Sequence, residues 1–174
     1  MAVDKGQALL KVIEKIPMFS RVGATSAAAV LQACEFRTLG SHERLCRAGE
    51  PSDEMAVLLS GRLGVYSESG VEIAEIAPVA PVGEMGLITG QPRSATVGAQ
   101  EKCSLLVLRK PAFERLMRAN AQISRQVYGN VVEILARRVQ DGRLRQVESE
   151  AEIRSLESQL EQMRSETEAL RLAR

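Results

Sequence analysis

Two opposite charges, Glu84 and Arg93, lie inside VGEMGLITGQPRSATV, residues 82–97, a stretch that otherwise has the composition of a buried segment. Charges are costly to bury unless another group compensates them. A guanidinium is a planar donor suited to phosphate oxygens, and a carboxylate accepts the hydrogen bonds that a sugar hydroxyl donates. Either the two residues bind a phosphorylated sugar, or they form an ion pair that staples a loop. Chemistry alone favours neither alternative.

The residues around these charges predict a short helical turn between two strands. Met85 to Ile88 can form one turn of helix, and Gly90-Gln91-Pro92 then turns the chain back into a strand that begins at Arg93. A helical turn has free N–H groups that favour an anion, and glycine at positions 83 and 86 lets the backbone approach a ligand. Ser94 adds a hydroxyl and an N–H. The loop therefore offers a phosphate-binding end close to a sugar-binding end.

The remaining chain predicts a β domain with flanking helices. From about residue 35 to 109 the hydrophobic period is near two and glycines interrupt it, which indicates many short strands in an antiparallel jelly-roll barrel. RLGVYSES and VEIAEIA, joined at Ser69-Gly70, predict a hairpin. Helices are predicted at QALLKVIEKI before Pro17, at SAAAVLQAC with Thr25 or Ser26 as its cap, and at KPAFERLMRAN.

The C-terminal part predicts a long α-helix that ends in a coiled coil. Its apolar residues alternate in steps of three and four: Ile153, Leu156, Leu160, Met163, Thr167 and Leu170. Gly142 weakens a helix by about 1 kcal/mol, and a change of register around 142–152 predicts a discontinuity or a stutter. An isolated helix of this composition is only partly formed, so a second copy is expected, with a frayed single helix as the alternative. The predicted domains are 1–140 and 141–174.

Composition excludes several classes of protein. The 174 residues carry a net charge of +1, with neither a signal peptide nor an apolar run long enough to span a bilayer, so we expect a cytoplasmic protein. Cys34, Cys46 and Cys103 are too dispersed for a disulfide framework or a zinc site and are expected to be buried. His42, the single histidine, is expected in a surface loop. No nucleophile–base pair or metal cluster is evident, so we expect neither enzyme activity nor a cofactor.

The stretch at 82–97 closely resembles the phosphate-binding cassette of the cyclic nucleotide-binding domain family. Gly83-Glu84-Met85-Gly86-Leu87 and Pro92-Arg93-Ser94-Ala95-Thr96 match the two halves of the family motif, with Val82 in place of its usual aromatic residue. GEPSDEMAVLLSGRLGVY is also similar to the family's strand–turn–strand. The resemblance covers about residues 10–140. It implies that Arg93 binds the exocyclic oxygens of a cyclic phosphate and that Glu84 accepts the ribose 2′-hydroxyl.

The same resemblance implies further ligand contacts. Backbone groups of the cassette would contribute at Gly83, Met85, Gly86, Leu87 and Ala95, and Ser94 would add phosphate contacts. Val82, Ile73 and Val97 would line the sugar and base. Arg143 lies near the position from which the family caps the base, where an arginine can stack or donate. Ser94 leaves cAMP and cGMP open, and similar bacterial proteins favour cAMP.

The resemblance implies a stand-alone cyclic nucleotide sensor that signals through a dimerising C-terminal helix to a protein partner. Only about thirty residues follow the predicted sensor helix, without a basic recognition helix, so direct DNA binding is not expected. Sensors of this kind favour parallel pairing of the helix, although the sequence leaves the orientation open. The alternative is a coiled-coil scaffold whose barrel no longer binds nucleotide.

Overall fold

The computed structural model describes the backbone of residues 2–172 and the side chains of residues 6–143, 146–160 and 163. The chain forms two compact units, Met1–Val131 and Val132–Arg174. The first unit contains every described strand, and the second contains only the continuation of one helix.

The described residues form five α-helices, a 3₁₀ turn and eight strands. The helical elements are α1 (Ala2–Lys15), the 3₁₀ turn Pro17–Phe19, α2 (Ala24–Gln32), α3 (Glu84–Thr89), α4 (Lys110–Ala119) and α5 (Ala121–Leu172). The strands are β1 (Glu35–Leu39), β2 (Arg44–Cys46), β3 (Glu54–Ser60), β4 (Leu63–Tyr66), β5 (Glu72–Ile76), β6 (Pro81–Val82), β7 (Thr96–Ala99) and β8 (Cys103–Arg109).

The strands form two four-stranded antiparallel sheets, in the orders β1-β8-β3-β6 and β2-β7-β4-β5. One hydrophobic cluster takes residues from both sheets, including Leu58 and Val107 from the first and Leu63 and Val97 from the second. These sheets, the flanking helices and the long C-terminal helix confirm the predicted mainly β class. The described strands do not close into one barrel, so the jelly roll and the coiled coil stay predictions.

The predicted hairpin is confirmed. Strands β4 and β5 pair with Leu63 opposite Ile76 and Val65 opposite Ala74. The turn is closed by a hydrogen bond from the Ser67 N–H to the Val71 carbonyl oxygen, at 2.9 Å.

The predicted cap of α2 is wrong. Gly23, with φ of 79°, occupies the N-cap position, and no side chain caps the helix. Thr25 and Ser26 instead lie inside the first turn of α2, because the helix begins at Ala24. Helix α1 ends at Lys15, close to Pro17 as predicted.

Helix α5 begins at a cap that the sequence analysis missed. The Asn120 side-chain oxygen accepts hydrogen bonds from the N–H groups of Gln122 (3.1 Å) and Ile123 (3.0 Å). The helix then runs through Asp141-Gly142 without interruption, which excludes a break there, while the predicted stutter stays a prediction. An interior glycine lowers helix stability without breaking the backbone hydrogen-bond ladder.

Candidate functional site

Strand β6 positions Gly83 at the entrance to α3. Val82 and Pro81 pair with Ala56 and Val57 of β3, and Gly83 follows with φ of 81° in the left-handed region. A Cβ atom at this position would overlap the Arg93 guanidinium. Glycine is therefore required at position 83 both for its backbone conformation and for the space that Arg93 occupies.

Helix α3 has a glycine, and therefore no side chain, on its buried face. Gly86 is buried, and a Cβ atom there would overlap the side chain of Ser52. Gly90, with φ of 73°, ends the helix, and its N–H donates to the Gly86 carbonyl oxygen at 2.8 Å. The predicted single helical turn is thus present, and two side chains from elsewhere in the chain pack against its glycines.

Arg93 is tied to the turn before β3 by main-chain atoms. Its N–H donates to the Glu50 carbonyl oxygen, and its carbonyl oxygen accepts from the Gly49 N–H, both at 2.8 Å. Its Nη2 donates to the Glu54 carbonyl oxygen at 2.6 Å. These bonds hold the guanidinium beneath the first turn of α3.

Two buried polar atoms at this place have no hydrogen-bond partner. Within residues whose side chains the structure describes, they are Ser52 Oγ and Arg93 Nη1. Each lies against a glycine of α3, Ser52 at Gly86 and Arg93 at Gly83. A buried unsatisfied polar group costs about 1–3 kcal/mol, and more when it is charged. Both groups can donate, so the site is suited to an acceptor such as an anion's oxygen.

Glu54, whose carbonyl oxygen binds Arg93, forms an ion pair with Arg37 through its carboxylate. The two N–H···O distances are 2.6 and 2.8 Å, which is bidentate geometry. The hydrogen bond from Arg37 lowers the pKa of Glu54, and the bond to Glu54 raises the pKa of Arg37. The Glu54 carboxylate is therefore occupied by Arg37, while its carbonyl oxygen binds Arg93.

Sequence reasoning missed Ser52, Glu54 and Arg37 as parts of this site. Ser52 is only 6% exposed, but a serine in a polar turn looks like any loop residue in the sequence. The sequence indicates the role of Ser52 only indirectly, because a small side chain is needed where it packs against a helical glycine such as Gly86. The Glu54 contact uses a carbonyl oxygen, which every residue has, so residue type carries no information about it.

The predicted cassette residues lie together in the chain's first unit. Gly86, Leu87, Val82 and Val97 are buried, Gly83, Glu84, Met85, Arg93 and Ala95 are half-buried, and Ser94 is exposed. An ion pair between Glu84 and Arg93 would not explain why Ser52 Oγ and Arg93 Nη1 have no hydrogen-bond partner. The arrangement therefore favours the ligand-binding alternative.

Two other predicted contacts lie on elements outside the cassette. Ile73 is 62% exposed on β5, where its neighbours Ala74 and Ile76 pair with β4 residues of the core side. The pairing of β4 with β5 shifts register at Ile73, and its contact with the sugar or base stays a prediction. Arg143 is exposed and belongs to the second compact unit, Val132–Arg174.

The cysteines and the histidine offer no competing site. All three cysteines are free, and burial raises the pKa of their thiols, that of Cys34 to about 12. Thiols with raised pKa values are poor nucleophiles and metal ligands. His42 is exposed in a loop with φ of 64°, as expected. Across the part of the chain that the structure describes, no group of three potential metal ligands occurs. No described helix is long and apolar enough to cross a membrane.

Comparison with known proteins defines the class. Residues 36–120 match the sequence model of the cyclic nucleotide-binding domain family. A cyclic nucleotide-gated potassium channel of Mesorhizobium japonicum is 34% identical over 114 residues, which are 66% of this chain and 31% of the channel. The chain spans between about a fifth and a third of the length of the curated relatives it matches.

Solved structures agree in fold. The N-terminal domain of a transcriptional regulator from Streptomyces coelicolor superposes with a TM-score of 0.68 at 24% identity, covering 75% of this chain and 94% of that one. The regulatory domain of Toxoplasma gondii PKA, solved with cAMP, gives a TM-score of 0.62 at 20% identity, covering 80% of this chain and 51% of that one. Residues 36–120 belong to the cyclic nucleotide-binding domain family. Residues 83–96, which resemble that family's cassette, lie within the matched range.

Proposed function

We propose that the β domain senses a cyclic nucleotide, cAMP in preference to cGMP, and passes the signal through α5 to a second copy and a protein partner. The observation that carries the ligand proposal is the pair of buried, unpartnered donors, Ser52 Oγ and Arg93 Nη1, beneath the glycine-lined turn of α3. An anion held there by Arg93 would remove the cost of burying an unsatisfied guanidinium nitrogen.

The remaining contacts follow from the same arrangement. Arg93 Nη1 would donate to an exocyclic phosphate oxygen, joined by Ser94 and by N–H groups at the start of α3. Glu84 would accept the ribose 2′-hydroxyl. Val82 and Val97 would contact the sugar and base.

The preference for cAMP rests on resemblance. Ser94 follows the cassette arginine, as in similar bacterial proteins that favour cAMP. The Toxoplasma gondii structure of the same fold was solved with cAMP. Regulation, rather than catalysis, fits a site that has donors and an acceptor but no nucleophile paired with a base.

Helix α5 supports the proposed output. Its first turns carry buried Ile123, Val127 and Val131, whereas Val132, Leu135, Val139, Ile153, Leu156, Leu160 and Met163 are exposed apolar residues further along it. Thr167 and Leu170, the last predicted seam residues, have side chains outside the described residues. Exposed apolar residues at heptad spacing are typical of a helix that pairs with another helix.

Calorimetric titration of the purified full chain with cAMP and with cGMP tests the proposal. We expect binding that is stronger for cAMP and that Arg93→Ala weakens at least 100-fold, because it removes the charge on the phosphate. The matched control is Arg47→Ala, since Arg47 is exposed and forms no ion pair within the described residues.

Binding of both nucleotides with equal affinity would contradict the preference, and an unchanged affinity in Arg93→Ala would contradict the site. Absence of heat together with an unchanged melting temperature at high nucleotide concentration would contradict sensing. The coiled-coil scaffold would then be the better explanation.

A further inference from the structure

Apart from Val147, the large exposed apolar residues that the structure describes in α5 fall on a single heptad register. Val132, Leu135 and Val139 are followed at steps of three and four by positions 142, 146 and 149, and then by the apolar group from Ile153 to Met163. Since α5 is continuous, the helix has no break between the two apolar groups. We call positions 132, 135, 139, 142, 146, 149, 153, 156, 160 and 163 the α5 seam.

The α5 seam has a polar centre between two apolar arms. Gly142, Gln146 and Ser149 separate the arms, and the Gln146 amide donates to Glu150 of the same helix at 3.0 Å. This pattern reads almost the same in both directions along the helix. From its apolar and polar positions alone, a second copy could therefore pair in either orientation.

We propose that α5 pairs with α5 of a second copy in antiparallel orientation, with the twofold axis between residues 147 and 148. This inference rests on the homodimer in the proposed function and specifies its geometry. The facing pairs are Val132 with Met163, Leu135 with Leu160, Val139 with Leu156, Gly142 with Ile153, and Gln146 with Ser149.

Packing is the first argument for this orientation. In a parallel, in-register pair Gly142 would face Gly142 and leave a gap in the seam. In the antiparallel pair Gly142 faces Ile153, so a large side chain fills the space beside the glycine. Close-packed interfaces exclude such gaps because each lost contact costs dispersion energy.

Charge at the flanking positions is an independent argument. Seam positions 139 and 153 correspond to heptad position a. In a parallel pair the residue just before such a position faces the residue that lies five positions further along the partner helix. Arg138 would then face Arg143, and Glu152 would face Glu157, which places like charges together at both ends of the polar centre. Like charges across a coiled coil disfavour that pairing.

Antiparallel pairing removes both of these repulsions. Arg143 faces Glu150 of the second copy, and Arg143 has no ion pair within the described residues. Arg138 faces Gln159, and Glu157 faces Ala136, so neither meets a like charge. Exposed ion pairs contribute little individually, but the difference between attraction and repulsion selects the orientation.

Spin-label distances in the full chain decide between the orientations. A noncanonical amino acid carrying the label is introduced singly at Ser149 or Leu160, which leaves the three native cysteines in place. Residue 160 faces residue 135 of the second copy, so two labels at 160 are separated by about 37 Å along the helix axis. Labels at 149 are close in either orientation and serve as the control for pairing.

A short distance at 149 with a long distance at 160 is the expected result. Short distances at both positions would establish parallel pairing and overturn the proposal. Absence of a defined distance at 149, with sedimentation showing a monomer, would overturn it as well. Calorimetry of cAMP on the same labelled proteins separates these outcomes from a failure of nucleotide sensing.

A charge variant gives a second, independent measurement. Glu157→Lys would strengthen a parallel dimer, because position 157 would then attract Glu152. In the antiparallel pair position 157 faces Ala136, so the dissociation constant measured by sedimentation is expected to change less than threefold. A dimer at least tenfold tighter in Glu157→Lys would contradict the proposal.

Discussion

At the scale of single residues, Ser52 and Arg93 show that buried polar atoms without hydrogen-bond partners can indicate a binding site. Native interiors leave few buried polar groups without hydrogen bonds. Here both unpartnered atoms within the described side chains lie against the same short helix. Their position beneath α3, rather than their residue types, points to the ligand.

Ser52→Ala is expected to raise the melting temperature of the nucleotide-free protein. The change removes a buried hydroxyl that has no partner and keeps a small side chain against Gly86, which is worth about 1 kcal/mol. The matched control is Ser94→Ala, which should leave the melting temperature unchanged because Ser94 is exposed. Thermal unfolding checks both variants, and a lower melting temperature for Ser52→Ala would show that the hydroxyl already has a partner.

The Arg37–Glu54 pair predicts an acid-sensitive contribution to stability. Because the folded state lowers the pKa of Glu54 below its usual value near 4.5, the pair stabilises the fold at higher pH. This contribution is lost as the pH falls from about 5 through the lowered pKa, since protonation removes the carboxylate charge.

Glu54→Gln should flatten that part of the stability profile. Urea unfolding between pH 7 and the acid limit of folding measures it. Glu101→Gln is the control, because Glu101 is half exposed and lies 3.7 Å from Arg62, a separation typical of weak surface pairs. Equal acid dependence in wild type and Glu54→Gln would assign the effect to other carboxyl groups.

At the scale of elements, Gly83 and Gly86 of the cassette have different roles from Gly129 of α5. Gly83 combines a left-handed φ with the close approach of Arg93, and Gly86 meets Ser52. Gly129, in α5, has ordinary helical geometry and open space around it. The same residue type is thus required in one helix and dispensable in another.

Gly83→Ala and Gly129→Ala are expected to act in opposite directions. Gly83→Ala should destabilise the protein by about 1–3 kcal/mol, because the new methyl group displaces Arg93 and strains the backbone. Gly129→Ala should stabilise it by about 1 kcal/mol, through the higher helix propensity of alanine. Denaturant unfolding measures both, and a neutral Gly83→Ala would mean that α3 can move away from Arg93.

The sequence predicted these elements unevenly. The short helix, its glycines and the β4–β5 hairpin were predicted because period and turn residues act locally. The cap of α2 was missed because a glycine with positive φ competes with nearby threonine and serine. The continuity of α5 through Gly142 was left open, because one glycine weakens a helix without having to break it.

At the scale of the whole molecule, the first unit joins segments that are far apart in the chain. The buried Asn130 amide donates to the carbonyl oxygens of Met18 (3.1 Å) and Ser20 (2.7 Å). Its side-chain oxygen accepts from Gln126 at 3.1 Å. The Asn130 side chain therefore connects α5 by hydrogen bonds to the segment that follows α1. Sequence reasoning could not find it, because contacts over such a separation leave no local pattern.

Asn130→Ala should lower the free energy of unfolding by about 2–4 kcal/mol, since two carbonyl oxygens lose their donor in a buried place. Amide exchange should show lost protection around residues 16–20 in particular. Asn120→Ala, which removes only the cap of α5, should cost about 1 kcal/mol without that local effect. Equal loss of protection throughout the first unit would show that Asn130 has no special connection to this segment.

The turn at residues 49–54 holds Arg93 entirely through main-chain atoms: the Gly49 N–H, the Glu50 carbonyl oxygen and the Glu54 carbonyl oxygen. Bonds of this kind do not depend on side-chain identity, but they depend on how many residues separate the bonded groups. Homologous chains should therefore vary freely in the exposed side chains of this turn while keeping its length. A single inserted residue would change the spacing between these partners. The Arg93 guanidinium would then lose its bond to the carbonyl oxygen of residue 54, even if every residue of the cassette were unchanged.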